Sequence, residues 1–393
     1  MKRLVLGLLI LVLAGVSTAC CAQVRVRVGL FRTHVVKSLS IECEASCLVK
    51  EGGASVCVLQ AGESARCEVS GKRLLIRWGS KNEKSVGALT VHSSNKAPIT
   101  VKACGASITC AGLIRLGVVD GAMLIVNEVD LEDYVRGVLP NEMSSSWPLE
   151  ALKAQAVAIR TLGVSRAGEH ESEGFDLCDT THCQVYRGAG SETDETNAAV
   201  SATAGEILVY DDKPVAAYYC STCGGKTSDS FGSKHIASAP YLNVKQDLIN
   251  GTCACEKSPH CKWRTTVKNQ ELLTALRADK RTDPGRKLLR IEVVDRDESG
   301  RASVVEIKGE RTIEVDGYVF WNVVCRGIGW GRVKSTQFTV KPAADGFEFS
   351  GRGLGHGVGM CQWGARRRAE LGWDYQKILG FYYPGAGIRQ AAP

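Results

Sequence analysis

Apolar residues recur at every second position from residue 24 to about 130, and from Pro148 onward they recur at the period of a helix. That change of period limits the chain to folds that build sheet first and set helices against it. The segments "VRVRVGLF", "RLLIRW", "ALTVHSS", "ITVKAC" and "AMLIVNEV" are separated by Gly, Ser and Lys turns. Alternation of this kind sends one face of each strand into a core. "PLEALKAQAVAIRTLGVSRAG" carries proline in its first turn, Glu150 just inside, Arg166 near its end and Gly168 at the stop, which predicts a helix. Strands follow at "EILVY", "PVAAYYC", "LLRIEVVDRD" and "ASVVEIKG", the last two as a hairpin, with a helical segment over Asn269 to Asp283. The C-terminal part reads as a glycine-rich loop, "SGRGLGHGVG", and two helices, "MCQWGARRRAEL" and "YQKILGFYY". The prediction is an α+β fold: a β-rich region over 23–110 and a mixed strand/helix core over 111–390, with no internal repeat.

Residues 1–22 start with Met1, Lys2 and Arg3, run apolar from Leu4 to Val16, and end in small residues from Ser17 to Ala22. This is the pattern of a secretory signal peptide, and the apolar run falls short of the roughly 20 residues that a membrane-spanning helix needs. The expected location is a periplasm or the cell surface, with Cys20 a candidate for a lipid anchor and simple cleavage the alternative. Seventeen cysteines behind such a leader predict disulfides, and Cys43/Cys47, Cys57/Cys67 and Cys104/Cys110 are close enough in sequence for short staples. The formal charge of +7 is a mild basic excess that suits an acidic polymer. Basic blocks such as "ARRR" at 365–368 are dispersed and no nucleic-acid module is present, so nucleic acid is not an expected partner.

Glu142 stands without an acidic neighbour in "VLPNEM", which reads as a short apolar strand-like run. An apolar setting raises a carboxyl's pKa and keeps it protonated near neutral pH, the state a general acid needs. On the helix that follows, Lys153 and Arg160 are seven residues apart and share a face, while Ala151, Ala154, Ala158 and Thr161 make a smooth second face. Cations nearby would pull the acid's pKa down. The bland alternative is a buried helix whose basic side chains simply neutralise the acid.

Four blocks in order carry a resemblance. They are "VNEVDLEDYVRGVLPNEMSSSWPLEALKAQAVAIRT", "DTTHCQVYRG" (179–188), "YYCSTCGGKTSDS" (218–230) and "GRGLGHGVGMCQWGARRRAELGWDYQKILGFYYPG" (351–385). Together they resemble the core of the stage II sporulation protein D (SpoIID/LytB) family of secreted bacterial cell-wall proteins, and they cover most of 112–388. The resemblance implies a peptidoglycan lytic transglycosylase, which cuts the MurNAc–GlcNAc bond and leaves a 1,6-anhydroMurNAc end. It makes Glu142, within Pro140-Asn141-Glu142-Met143, the catalytic acid, and puts Lys153, Arg160 and Ser221 on the substrate. It further implies glycan strands already stripped of stem peptides, an N-acetylmuramoyl-L-alanine amidase as working partner, a setting in division or sporulation, and no cofactor for the chemistry itself. A lone acid suffices for such a reaction. A hydrolytic glycosidase needs a second carboxyl to activate water or attack carbon. When the sugar's own 6-hydroxyl attacks, one residue can protonate the leaving oxygen and later take the hydroxyl's proton. A rival of another class is a non-catalytic glycan-binding amidase enhancer, as some relatives are described; a second is a zinc or cysteine hydrolase acting on stem peptides.

"CDTTHC" and "CSTC" suggest a tetrahedral structural zinc site from Cys178, His182, Cys183 and Cys223, and the family resembled here includes zinc-binding members. The alternatives are a disulfide, for example Cys183 to Cys223, and a substrate contact for His182. Glycines 351, 353, 355, 357 and 359 flank His356, and no Lys-Ser/Thr follows, which rejects a Walker-type phosphate loop. His356 reads either as a glycan contact or as a packed turn histidine. Cys361, where the family has serine, raises the thought of a thiol nucleophile. Trp147, Trp363, Tyr382 and Tyr383 either stack on sugars or fill the core.

Overall fold

The computed structural model describes residues 24–232 and 236–391; the leader expected over 1–22, with Cys20, lies outside them. The alternating segments form two sheets. One runs in the order Leu177–Cys178, Arg25–Gly29, Ala122–Asp130, Leu113–Val119, Leu89–Ser93, Cys47–Glu51, Ala54–Leu59. The other runs Ala106–Cys110, Ile99–Ala103, Ser38–Cys43, Ser64–Ser70, Arg73–Trp78, Asn82–Val86. Neighbours are antiparallel except Leu177–Cys178, which is parallel to Arg25–Gly29. Alternation has the predicted result: Val26 and Val28, Leu39 and Ile41, and Leu74 and Ile76 are buried while the residues between them are not. Hydrogen bonding in the first sheet continues past residue 110, because Leu113–Val119 pairs with Leu89–Ser93 and Ala122–Asp130 pairs with Arg25–Gly29. The architecture is α+β, and both sheets share one continuous core with the helices.

Of the expected staples, Cys43–Cys47 is bonded, whereas Cys57, Cys67, Cys104 and Cys110 are free. Cys57 lies on an edge strand of the first sheet and Cys67 inside the second. Cys104 is exposed in a turn and Cys110 is buried, so proximity in sequence does not bring these thiols into register.

The run expected to be strand-like around Glu142 is the last turn of helix α1, Leu131–Glu142. Leu131, Tyr134, Val135, Val138 and Leu139 are buried at i, i+3, i+4, i+7 and i+8, the stripe of an amphipathic helix. Glu132 and Asp133 complement the dipole at its start. Pro140 sits in the final turn, where its missing N–H removes only one intrahelical bond. Helix α2, Leu149–Ser165, is buried on almost every face. Its small residues let α1, α3 (Asp194–Ala202), the strand Glu206–Tyr210 and the two C-terminal helices approach it. A helix the sequence reading passed over, Gly317–Ile328, starts where Asp316 accepts from the N–H groups of Tyr318 and Val319.

One contact fixes how the loop that precedes α3 meets α1. Gly137 lacks a side chain where the Tyr186 ring packs; Tyr186 stacks on Tyr134 at 5.5 Å between centroids and donates to Asn127 Oδ1 at 2.7 Å. The Arg187 N–H donates to the Gly137 carbonyl at 3.0 Å. A methyl on residue 137 would meet Tyr186 at 2.5 Å. Gly137→Ala is therefore expected to destabilise the fold by about 1–3 kcal/mol, read as a lowered urea midpoint; an unchanged midpoint would mean the ring moves aside freely.

Candidate active site and metal centre

Segments far apart in sequence meet at Glu142. The Val185 N–H donates to its Oε1 at 3.3 Å, and the side chains of Tyr219 and Gln362 hydrogen-bond to the same carboxyl. Tyr219 lies on the strand Tyr219–Cys220, which pairs in parallel with Met360–Cys361, and Gln362 opens the helix that follows. These partners are held in turn. Gln184 Nε2 donates to the Tyr219 oxygen at 2.9 Å while its Oε1 accepts from Tyr134 at 2.9 Å, and Gln362 reaches Gln155 at 3.4 Å. Glu142 remains partly open to solvent. Burial is the largest influence on it and raises its pKa above the usual carboxylate range; the Val185 N–H, Gln362 and Tyr219 pull in the opposite direction. Among the described residues no acidic side chain contributes to that shift. Such a group keeps its proton to higher pH than an exposed carboxyl and, once ionised, finds donors already aimed at it.

The glycine-rich loop builds this junction rather than a phosphate cradle. Its N–H groups and carbonyls bond the 218–228 segment, with Met360 N–H to the Tyr218 carbonyl at 3.0 Å and Leu354 N–H to the Thr222 carbonyl at 2.8 Å. Gly359 has φ 69° and lies so close to the Tyr218 carbonyl that a side chain would overlap it. Trp147 and Trp363 meet edge to face at 5.1 Å with Arg366 over both rings, and both keep partial exposure beside the Glu142 segment. Tyr382 and Tyr383 are core residues. Two surface concavities, of about 580 and 480 Å³, are lined by other parts of the chain.

The expected substrate residues fare differently. Arg160 is fully buried: Nε and Nη2 grip both oxygens of Glu132 at 2.7 and 2.8 Å, and Nη1 donates to the Glu206 carbonyl at 3.0 Å. It ties α2 to α1, and the reading of Arg160 as a substrate contact is corrected to a structural one. Lys153 is partly exposed, yet it pairs with Glu150 at 2.7 Å and sits 5.7 Å over the Tyr375 ring. Neither cation is among the groups that shift Glu142. Ser221 does join the junction, its carbonyl accepting from the Trp363 N–H at 3.2 Å. His356 accepts from the Val358 N–H at 3.0 Å and packs against Tyr218 and Phe231. Cys361 is buried among other cysteines, which removes the idea of a Cys361–His356 nucleophile.

Cys178, His182 and Cys183 do come together, but Cys223 does not join them. The fourth donor is His170, which no sequence signal singled out, and the four ligand atoms lie within 4.8 Å of one another. Cys183 Sγ is 3.4 Å from His170 Nε2 and 3.4 Å from His182 Nδ1, and Cys178 Sγ is 3.9 Å from His182 Nδ1. The edges of a tetrahedral zinc site with these donors are about 3.3–3.8 Å. His170 turns its other nitrogen to Glu173 at 2.6 Å, the carboxylate support that metal-bound imidazoles commonly have. The donor set fits zinc. Cys223 lies instead beside Cys255 and Cys361, so neither the Cys223 ligand nor a Cys183–Cys223 disulfide is formed.

Glu142 thus stands as a shielded acid held by neutral donors at the end of a helix, where the sequence pattern predicts a strand-like run. The stage II sporulation protein profile matches residues 119–210, and a domain of unknown function matches 237–359. The chain belongs to the stage II sporulation protein D family. It is 31% identical to stage II sporulation protein D of Bacillus subtilis over 335 residues, which is 79% of this chain and 89% of that one. It is 34% identical to the amidase enhancer of Bacillus subtilis over 65% of this chain, spanning only 40% of that protein. An uncharacterized protein of Brachyspira hyodysenteriae is 38% identical over 68% of each chain.

Removing the Arg160 guanidinium leaves Glu132 and the Glu206 carbonyl without their partner. Arg160→Ala is expected to cost about 3 kcal/mol of stability in chemical denaturation, as breaking a buried pair does. Loss of glycan affinity with stability intact would restore the substrate role.

Proposed function

We propose that this chain is a peptidoglycan lytic transglycosylase, cutting MurNAc–GlcNAc bonds with Glu142 as the single acid and base. The observation that carries the reading is the setting of Glu142: part-exposed, raised in pKa by burial, and surrounded by neutral donors, with no second carboxyl among the described residues acting on it. Its proton goes to the bridging oxygen as the glycosidic bond breaks. The carboxylate left behind accepts bonds from Val185, Gln362 and Tyr219, then takes the proton of the sugar's 6-hydroxyl as that oxygen closes the anhydro ring. Proton and bond counts balance without water. Trp147 and Trp363 offer sugar-stacking faces, and Arg366 above them offers a cation to a lactyl carboxylate.

Zinc held by His170, Cys178, His182 and Cys183 would supply cross-linking, not acid–base chemistry, one residue before Gln184 and two before Val185. Strands lacking stem peptides are the proposed substrate, an N-acetylmuramoyl-L-alanine amidase the enzyme that prepares them, and the cell-wall compartment reached through the leader the location. The amidase-enhancer relative favours a second reading, in which the chain binds glycan and stimulates an amidase without cutting.

Incubation of the purified chain with peptide-free glycan strands, followed by mass spectrometry, separates these. The expected products are shorter strands lighter by one water than hydrolysed ends. Glu142→Gln should lower their formation at least about 100-fold with the fold retained; unshortened strands would sink the enzyme in favour of the enhancer.

The same site has a defined pH response. Because the folded-state pKa of Glu142 lies above its unfolded value, the native state holds this proton more tightly, and Glu142 costs stability progressively as pH rises through that window. Activity that needs the proton falls on the alkaline side of the raised pKa. Tyr219→Phe removes a donor that favours the carboxylate, so the alkaline limb of kcat/KM should move to higher pH. A limb that stays in place would show that Tyr219 does not act on Glu142.

A further inference from the structure

A second group of thiols gathers behind the junction that holds Glu142. The sulfurs of Cys223, Cys255 and Cys361 lie within 4.8 Å of one another, and so do those of Cys253, Cys255 and Cys261. Cys255 belongs to both sets, at 3.9 Å from Cys223 and 3.1 Å from Cys253, with Cys261 at 3.7 Å from Cys253. All are buried except Cys253, which is half-buried. The edge of a tetrahedral zinc–thiolate site is about 3.8 Å, from Zn–S bonds of about 2.3 Å. A disulfide joins sulfurs in twos at about 2.0 Å, whereas Cys255 has sulfur neighbours on two sides.

The surrounding backbone is arranged for negative sulfur. The Cys223 N–H donates to Cys361 Sγ at 3.2 Å, the Gly225 N–H to Cys223 Sγ at 3.4 Å, and the Gly364 N–H to Cys361 Sγ at 3.4 Å. Donors aimed at sulfur favour a thiolate over a thiol. The turn that aims them, Cys220-Ser221-Thr222-Cys223-Gly224-Gly225, uses φ of 80° and 103° at its two glycines, and a side chain on Gly225 would press on Cys253 Sγ at 3.3 Å. Arg301 is buried with its guanidinium bonded only to neutral oxygens among the described residues, including the Cys223 carbonyl at 2.9 Å. A buried cation there offsets part of the charge of a metal–thiolate group.

We infer that Cys223, Cys255 and Cys361, with Cys253 or Cys261 beside Cys255 as the fourth thiolate, hold zinc in a second centre distinct from that of His170 and Cys178. Thiolate donors in tetrahedral reach select zinc over harder ions. Binding releases the thiol protons, among them the one Cys223 shares with Asp247 Oδ2 at 3.2 Å. Asp247 keeps its own partners, Arg368 at 2.6 Å and Tyr382 at 3.0 Å. The centre ties the 220–225 turn, the 253–261 loop and Cys361 into one unit, immediately before Gln362.

The full chain, purified without chelator or reductant after growth with zinc, supplies the test. Elemental analysis should find more than one zinc per chain. The His170→Ala/Cys178→Ser variant should lose one and keep the rest, and adding Cys255→Ala should remove that remainder. In denaturant with chelator and no reductant, the peptides bearing Cys223, Cys255 and Cys361 should alkylate fully. A single zinc in the wild type, or alkylation of those peptides only after reduction, would overturn the second centre, and neither result depends on a variant folding. None of these readouts involves glycan cleavage, so their failure leaves the role of Glu142 to its own experiment.

Discussion

A carboxyl drawn out of water must either keep its proton or find donors, and the setting of Glu142 provides for both. The donors come from Val185, Tyr219 and Gln362, and two of these depend on one short parallel pairing, Tyr219–Cys220 with Met360–Cys361. That pairing exists because the glycine-rich loop can lie flat on the 218–224 backbone, with Gly359 against the Tyr218 carbonyl. The glycines, the pairing and the acid form one causal chain. Disturbing the first would be felt at the last, without any contact between Gly359 and Glu142.

The basic face of α2 shows how spacing misleads. Lys153 and Arg160 share a helical face, which is what substrate-gripping cations would do. Spacing says nothing about what the face meets. Here it meets Glu132 from α1, Glu150 from its own first turn and the Glu206 carbonyl, so the charges hold helices together. A guanidinium this deeply buried, with the Glu132 carboxylate and the Glu206 carbonyl as its partners, is out of reach of a mobile ligand. Arg366, over the Trp147 and Trp363 rings, is part-exposed and pairs with Glu370 at 2.9 Å, and its position follows from a helix that begins at Gln362.

The cysteines divide by neighbourhood rather than by spacing. "CDTTHC" brings three donors together locally because six residues of turn cannot separate them far, and a fourth arrives from His170 through the fold. "CSTC" looked like its complement. The turn that carries Cys223 faces the 253–261 loop and Cys361 instead, so the two motifs serve separate clusters. Closeness in sequence leaves thiols free for the same reason: Cys104 sits in the turn of its hairpin and Cys110 at the opposite end, paired with Ile99.

Local pattern by itself determined the α+β class, the alternating strands, α2 with its proline start, and the hairpin of Leu288–Arg296 with Ala302–Gly309. These are properties of backbone period and of blocks whose meaning survives without neighbours. The helical stripe Leu131, Tyr134, Val135, Val138, Leu139 was also there to be seen, and a window confined to "VLPNEM" hid it. Only the tertiary structure decided which donors reach the acid, that Arg160 is internal, that His170 replaces Cys223, and that five thiols share one pocket of chain. Those facts depend on which distant segments meet, and side-chain chemistry at a junction is set by the partner that arrives there.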